Sequence, residues 1–288
     1  MGTKKTFPIT SVFILVILGA MLSFLIFRYV SLLKIDGPVV TVYFIDVGQG
    51  DAALICADGI NVLIDGGEES AYHTVARYVE EYAAGKIDWL VATHPHSDHI
   101  GSLGKIIENF DVTHIIAPKV VHTTNTYERF LRAASDKNLK ITTPTPGYAF
   151  GSGDVSFTVV APCSDNYSDL NNYSVTLKME YKRARFLFTG DIEYLAEAEI
   201  LASGRDISAD VLKVAHHGSD TSSSDGFLSA VSPIIAVISC GAGNMYGHPH
   251  EKTLTALENA GAVIYRTDMS GTLTFTTDGD KIVYSGQN

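Results

Sequence analysis

Thr93-His94-Pro95-His96-Ser97-Asp98-His99 places four metal-competent side chains, His94, His96, Asp98 and His99, within six residues. The segment directly follows an apolar run at 89–93 that reads as a short strand, and it precedes residues 101–110, which have helical spacing. It is therefore a loop at a strand end. His94 and His96 can chelate one ion from the same side of an extended loop. Asp98 and His99, past the bend, can turn to a second ion. Imidazole and carboxylate donors suit zinc or manganese, and the lack of a nearby cysteine excludes a structural thiolate zinc site.

Outward from this loop the chain reads as two similar halves. Residues 39–47, 52–56 and 61–64 are rich in β-branched and aromatic residues, with a hairpin turn at Ala57-Asp58-Gly59. A helix at 72–84, the strand 89–93, the helix 101–110, Ile115-Ile116 and a helix around 127–137 complete the first half. Prolines and glycines over 144–153 mark a junction. Strands at 155–160, 174–180 and 185–188, a helix at 195–202 and a strand at 211–215 then repeat the pattern. Strand 234–239, a helix at 252–260 and strands 263–266 and 272–276 finish the second half. Val62-Leu63-Ile64-Asp65-Gly66 corresponds to Leu187-Phe188-Thr189-Gly190-Asp191, and 89–94 corresponds to 211–216. The pattern predicts an α/β protein, a duplicated β-sandwich flanked by helices, with strand ends of both halves meeting along one edge.

The 288 residues include 25 glycines, and charged residues make up only 18%, which excludes a disordered chain. Mean hydropathy is slightly positive, at +0.14. Its local cause is an uncharged run over 6–27, between Lys4-Lys5 and Arg28. A helix there would span about 33 Å, enough for a bilayer core. With no small-x-small cleavage site it reads as an uncleaved signal anchor, and the lysines of the short tail favour a cytoplasmic N-terminus and an extracytoplasmic domain. A cleaved segment would make the protein secreted instead. The expected organisation is a tail, anchor and linker at 1–36 and a catalytic domain at 37–288. The net charge of −11 becomes more negative without the N-terminal segment, which argues against an extended duplex-binding surface. Cys56, Cys163 and Cys240 are isolated, and Cys56 and Cys240 sit in apolar strands where buried thiols are expected.

The His-x-His-x-Asp-His segment resembles the signature of the metallo-β-lactamase fold, a four-layer αβ/βα sandwich. More narrowly, the chain resembles the hydrolase domain of ComEC-type competence proteins. Supporting segments are Asp46-Val47-Gly48-Gln49-Gly50-Asp51, Leu63-Ile64-Asp65-Gly66-Gly67, Phe188-Thr189-Gly190-Asp191, His216-His217-Gly218-Ser219 and Asn244-Met245-Tyr246-Gly247-His248-Pro249. The resemblance implies two divalent ions, zinc or manganese. His94 and His96 would bind the first, Asp98 and His99 the second, with His216 completing the second and Asp191 bridging both. Asp65 would orient the cluster from beneath. Most members carry a third histidine for the first ion. Here His114 and His122 fall well before the matching strand, and the position lies in Asn171-Asn172-Tyr173-Ser174. Asn172 is the expected weak oxygen ligand, with Asn171 beside it left open. Such a set predicts a looser first ion and tolerance for manganese.

Asp51, His217, Ser219, Asn244 and Tyr246 are expected near substrate or behind the ligands, and His248 as a general acid or phosphate contact. Asp98, Asp191 and His248 are the residues expected to carry catalysis. A water between two dications would be the nucleophile. The resulting expectation is a membrane-anchored, extracytoplasmic phosphodiesterase, with single-stranded DNA as a candidate substrate. A phosphorylcholine or teichoic-acid esterase and a β-lactam or lactone hydrolase are alternative enzymes, and a metal-containing surface binding protein is the non-enzymatic one. No protein partner can be read from the sequence.

Overall fold

The structure, a computed structural model, describes residues 18–19, 21–23, 39–57 and 59–286. The chain divides into two units, Met1–Gly37 and Pro38–Asn288. The anchor expected over 6–27 lies almost wholly outside the described residues, of which 18–19 and 21–23 are helical. Among the described residues no helix is long and apolar enough to cross a membrane.

In the second unit, β1 (Val40–Phe44), β2 (Ala53–Ala57), β3 (Ile60–Ile64), β4 (Lys86–Val91), β5 (Asp111–Ile116) and β6 (Ile141–Thr142) lie in one sheet. A second sheet holds β7 (Ala149–Ser152), β8 (Val155–Ala161), β9 (Thr176–Tyr181), β10 (Ala184–Phe188), β11 (Val211–Lys213), β12 (Ile235–Ile238) and β13 (Val263–Arg266), in the order 13-12-11-10-9-8-7. Finally β14 (Leu273–Thr277) and β15 (Ile282–Ser285) return to the first sheet, giving the order 15-14-1-2-3-4-5-6.

Side-chain alternation explains why the sheets stack. In β1 the sequence Val-Thr-Val-Tyr-Phe buries every second residue. Val40, Val42 and Phe44 join Val62, Ile64, Phe157, Phe186, Phe188 and Phe275 in one apolar layer between the sheets. The Phe44 and Phe188 rings stack across it with centroids 5.8 Å apart. The opposite faces carry helices. The first sheet is covered by α1 (Tyr72–Ala83), α2 (Ser97–Ile100), α3 (Leu103–Asn109) and α4 (Asn125–Asp136), through Val75, Val79, Ile106 and Phe130 on Leu54, Leu63 and Leu90. The second is covered by α5 (Tyr194–Ala202), α6 (Asp225–Val231) and α7 (Glu251–Asn259), through Ile200, Phe227 and Leu257 on Leu187 and Leu212. A short α8 (Thr267–Ser270) follows β13. The result is four layers: helices, sheet, sheet, helices.

The two halves share a topology. A hairpin, β2–β3 or β9–β10, is followed by parallel strands β4–β5 or β11–β12. One placement differs from the sequence expectation. The sequence pattern places strand 272–276 in the second half, whereas β14 pairs antiparallel with β1, Val40 opposite Thr277. Periodicity marks a strand and its buried face without naming its partner, and Leu273 and Phe275 fit the shared inter-sheet layer from either half. Of the two thiols expected to be buried, Cys240 is, whereas Cys56 is only half-buried; Cys163 is exposed.

Candidate metal centre

The site forms where β3, β4, β10 and β11 end. At the end of β3, Asp65 adopts a left-handed φ of 56°. Its carboxylate accepts the Thr93 N–H at 2.8 Å and the Thr93 hydroxyl at 2.7 Å, fixing the chain as it leaves β4. Gly50 lets the loop before β2 press onto Asp98, since a Cβ there would lie 2.2 Å from the Asp98 carbonyl oxygen. Asp51 N–H donates to that same oxygen at 3.1 Å. After β10, the Asp191 N–H donates to the Ser174 hydroxyl at 3.0 Å. After β11, His216 (φ 50°), His217 (φ 54°) and Gly218 (φ 83°) turn left-handed in succession. Two consecutive non-glycine residues in that region carry local strain, a feature concentrated at functional sites.

These turns gather the side chains around Asp191. Its Oδ2 lies 3.2 Å from His99 Nε2, 3.3 Å from His217 Nε2 and 3.9 Å from His94 Nε2. His94 Nε2 faces His96 Nδ1 at 3.0 Å, and His217 Nε2 lies 3.2 Å from Asp98 Oδ2. His99 Nδ1 is 2.8 Å from Asp65 Oδ2, on the side away from Asp191. His217 Nδ1 donates to the Ser239 carbonyl at 3.0 Å, with Asp51 Oδ1 3.3 Å away. His94, His99, His217, Asp51, Asp65 and Asp191 are all buried. Above them opens a cleft of about 520 Å³, lined by His96, Asp98, Asn171, Asp191, His216, His217, Tyr246 and His248, with His122 and Thr124 at one side.

Charge is strongly redistributed here. Burial, with His99 beside it, pushes His94 well below the ordinary imidazole range, and burial lowers His96 as well. Burial also opposes protonation of His99 and His217, but Asp191 outweighs it at both, with Asp65 and Asp51 adding respectively, and both are raised well above that range. Asp191 is correspondingly held well below the ordinary carboxylate range despite its burial, by His217 and His99. Asp65 is raised by burial, which His99 and Thr93 only partly offset.

Several expected positions need restating. Of the two adjacent histidines, His217 reaches Asp98 and Asp191, whereas His216 Nε2 is 4.0 Å from Asp191 and its Nδ1 faces Thr221 Oγ1 at 3.1 Å. Asn172 turns away from the cleft. Its Oδ1 accepts the N–H groups of Glu193 and Ala196, at 3.1 and 3.3 Å, and so ties down the start of α5. Asn171 lines the cleft instead, and its buried Oδ1 has no hydrogen-bond partner. Ser219 is buried, its hydroxyl facing Thr221 Oγ1 at 3.1 Å. Asn244 braces its own loop through Gly241 and His248. Tyr246 and His248 do line the cleft, their rings stacked with centroids 5.7 Å apart.

Two residues escaped the sequence reading. Lys213, buried in β11, forms an ion pair with Asp51 and gives a second hydrogen bond to the Val214 carbonyl at 3.0 Å. As one residue of a strand it carries no motif signal. His122 reaches the cleft through the β5–α4 loop, which spacing alone does not position.

The donor set fits divalent cations. His99 Nε2 and Asp191 Oδ1 are buried with no hydrogen-bond partner. One ligand atom each from Asp51, His99, Asp191 and His217 lies within 4.8 Å of the others. Asp51 is already paired with Lys213 and faces the far nitrogen of His217, a position from which it would support His217 against a cation.

Comparison with known proteins agrees with this architecture. The model of the metallo-beta-lactamase superfamily matches residues 45–242. ComE operon protein 3 of Bacillus subtilis is 31% identical over 270 residues, covering 88% of this chain and 34% of that protein. Competence protein ComA of Neisseria gonorrhoeae is 32% identical over 235 residues, covering 80% of this chain and 31% of that one. The chain thus spans about a third of the length of these relatives. Among solved structures, the metallo-beta-lactamase fold protein YhfI of Bacillus subtilis superposes with a TM-score of 0.57 at 12% identity, over 84% of this chain and all of that one, a likeness of fold. The matched signature, the two stacked sheets and the His/Asp cluster at their shared edge lead to one conclusion: the chain belongs to the metallo-β-lactamase superfamily, as a relative of the ComEC-type competence proteins.

Proposed function

We propose that the protein is a binuclear metal-dependent phosphodiesterase. His94, His96 and Asn171 would surround one ion, Asp98, His99 and His217 the second, with Asp191 between them. The observation that carries this reading is the open cleft over a buried His/Asp floor, whose described lining contains no lysine or arginine. A phosphodiester entering it needs its charge met by cations held at the floor. Such ions would make water a usable nucleophile near neutral pH and offset charge on a phosphoryl group.

The chain's own groups do the rest. Asp65 and Ser239 hold the outer nitrogens of His99 and His217, which turns their Nε2 atoms inward. His248 is pushed down to about 4 by burial, with His217, His216 and His250 adding to it. It is therefore a neutral imidazole at physiological pH, suited to hydrogen-bond a phosphoryl oxygen rather than to act as an imidazolium acid. The uncharged run at 6–27 supports an anchored, extracytoplasmic placement, and the likeness to competence proteins supports single-stranded DNA as the substrate to try first.

The test is a panel on the purified full chain loaded with Mn(II) or Zn(II). It comprises bis-p-nitrophenyl phosphate, single-stranded DNA, p-nitrophenyl phosphorylcholine and a chromogenic β-lactam. Turnover of the first two, lost in His94→Ala and Asp191→Ala, is expected. Turnover confined to the β-lactam, or none that depends on metal, defeats the reading, whereas turnover confined to the choline diester keeps a phosphodiesterase and removes DNA as its substrate.

A further inference from the structure

We propose that His122 contacts the substrate, its Nε2–H donating a hydrogen bond to an anionic oxygen of the group held over the cleft floor. This rests on the phosphodiesterase reading. It adds a residue that the superfamily's ligand pattern does not supply and that sequence spacing set aside.

Four observations converge. First, His122 lines the cleft on the His96 side, while His248 lines it on the His217 side. Its ring centroid is 6.4 Å from that of His96, with the planes at 69°. That is too long for a hydrogen bond between the rings and short enough for one phosphoryl group to span.

Second, a neighbouring hydroxyl can present its proton to one ring nitrogen. Thr124 caps α4, and its hydroxyl oxygen accepts the Tyr127 N–H at 3.3 Å. The same hydroxyl lies 3.0 Å from His122 Nδ1. The hydroxyl can give its proton to Nδ1, and a neutral ring that accepts it there carries its hydrogen on Nε2. In that arrangement Nδ1 is occupied, and Nε2 is the donor left for a ligand.

Third, two other hydroxyls that line the cleft are committed. Thr124 serves its helix and His122, and the Ser97 hydroxyl donates to Glu68 Oε1 at 2.8 Å. Fourth, no lysine or arginine is among the described residues that line the cleft, so an anion entering there depends on neutral donors and bound cations. A donor in the loop just before a helix, tied to the hydroxyl that caps it, is held in place before the substrate arrives, which lowers the cost of ordering it.

The experiment compares full-length wild type, His122→Ala and His122→Gln, each loaded with Mn(II). Metal content is measured by mass spectrometry, inorganic phosphate affinity by calorimetry, and kcat and KM on bis-p-nitrophenyl phosphate. Metal content is expected to stay at the wild-type value. Phosphate affinity and kcat/KM are expected to fall about tenfold to a hundredfold in His122→Ala, the range for losing a hydrogen bond to a charged group. His122→Gln, whose amide nitrogen can reach the place of Nε2, is expected to recover most of that loss. Loss of bound metal in His122→Ala makes the residue a ligand and overturns the proposal. Unchanged phosphate affinity and kinetics in His122→Ala overturn it while leaving the phosphodiesterase reading intact. Wild type that neither binds phosphate nor cleaves the diester overturns both. If wild type binds phosphate without cleaving the diester, the phosphodiesterase reading fails alone and the affinities still decide the role of His122.

Discussion

Asp51 Oδ1 lies 3.3 Å from His217 Nδ1, on the far side of the imidazole from Asp191. With the Ser239 carbonyl at 3.0 Å, it keeps the hydrogen on Nδ1 and leaves Nε2 for a cation. Replacing Asp51 by Asn is expected to weaken metal binding about tenfold to a hundredfold, as loss of a supporting carboxylate does elsewhere. Competition with a chelating dye measures it, and wild-type affinity in the variant would remove Asp51 from this role.

Beneath Asp51 sits Lys213, and both side chains are nearly inaccessible, at 8% and 5% exposure. Lys213→Met leaves a buried carboxylate without its cation. The expected cost is about 3–5 kcal/mol in thermal or urea unfolding. The double variant Asp51→Asn/Lys213→Met should lose less than Lys213→Met alone, because it removes both charges. Equal losses in the two would mean the pair is not coupled.

The neighbours His216 and His217 should separate cleanly. His217→Ala removes the imidazole facing Asp98 and Asp191, so one ion should be lost from the loaded protein. His216→Ala should keep its full metal content, since the His216 ring is engaged with Thr221 and Glu193 while its neighbour approaches both Asp98 and Asp191. Metal analysis after dialysis distinguishes them, and the reverse pattern would reinstate His216 as the ligand.

Asn171 and Asn172 should separate in a different way. Asn171→Ala is expected to loosen the His94/His96 ion with little effect on folding, since its buried oxygen holds nothing in the chain. Asn172→Ala unties two N–H groups at the start of α5 and is expected to cost about 1–2 kcal/mol of stability. Metal titration and thermal melts on the pair read both effects, and a metal defect confined to Asn172→Ala would sink the assignment.

Metal binding should be proton-linked. His99 and His217 are raised above the ordinary imidazole value of 6.5, so the metal-free protein holds them protonated at neutral pH. A cation must displace those protons, so affinity should rise with pH across that range. The stability of the metal-free protein has the matching sign. The contribution of these two groups is complete below their unfolded pKa and is lost as pH rises through the raised folded values. Calorimetry in buffers of different ionisation enthalpy reports the released protons. A signal that does not depend on the buffer would contradict the charge assignment.

Much of this molecule is legible along the chain. The His/Asp loop, the hairpin ending at Asp65 and the one leading to Asp191 announce themselves through residue type and period-two alternation. The short β7, paired with β8, is hidden among the glycines and prolines of the junction, where composition signals a turn and pairing makes a strand. The start of α6, capped by Ser224, carries too short an apolar pattern to stand out.

Sequence alone determined the chemistry available: which residue types sit at strand ends, that the two halves repeat, and that no thiolate takes part. It left open the choice between adjacent candidates, because neighbours in a loop have the same chemistry and the same spacing. The left-handed turn through His216, His217 and Gly218 sends His217 to Asp191, and the capping of α5 claims Asn172 and leaves Asn171 to the cleft. The return of β14 to β1 and the pairing of Lys213 with Asp51 belong to the same class. Such choices turn on backbone dihedrals and on which groups meet across long loops, and only the assembled sheets decide those.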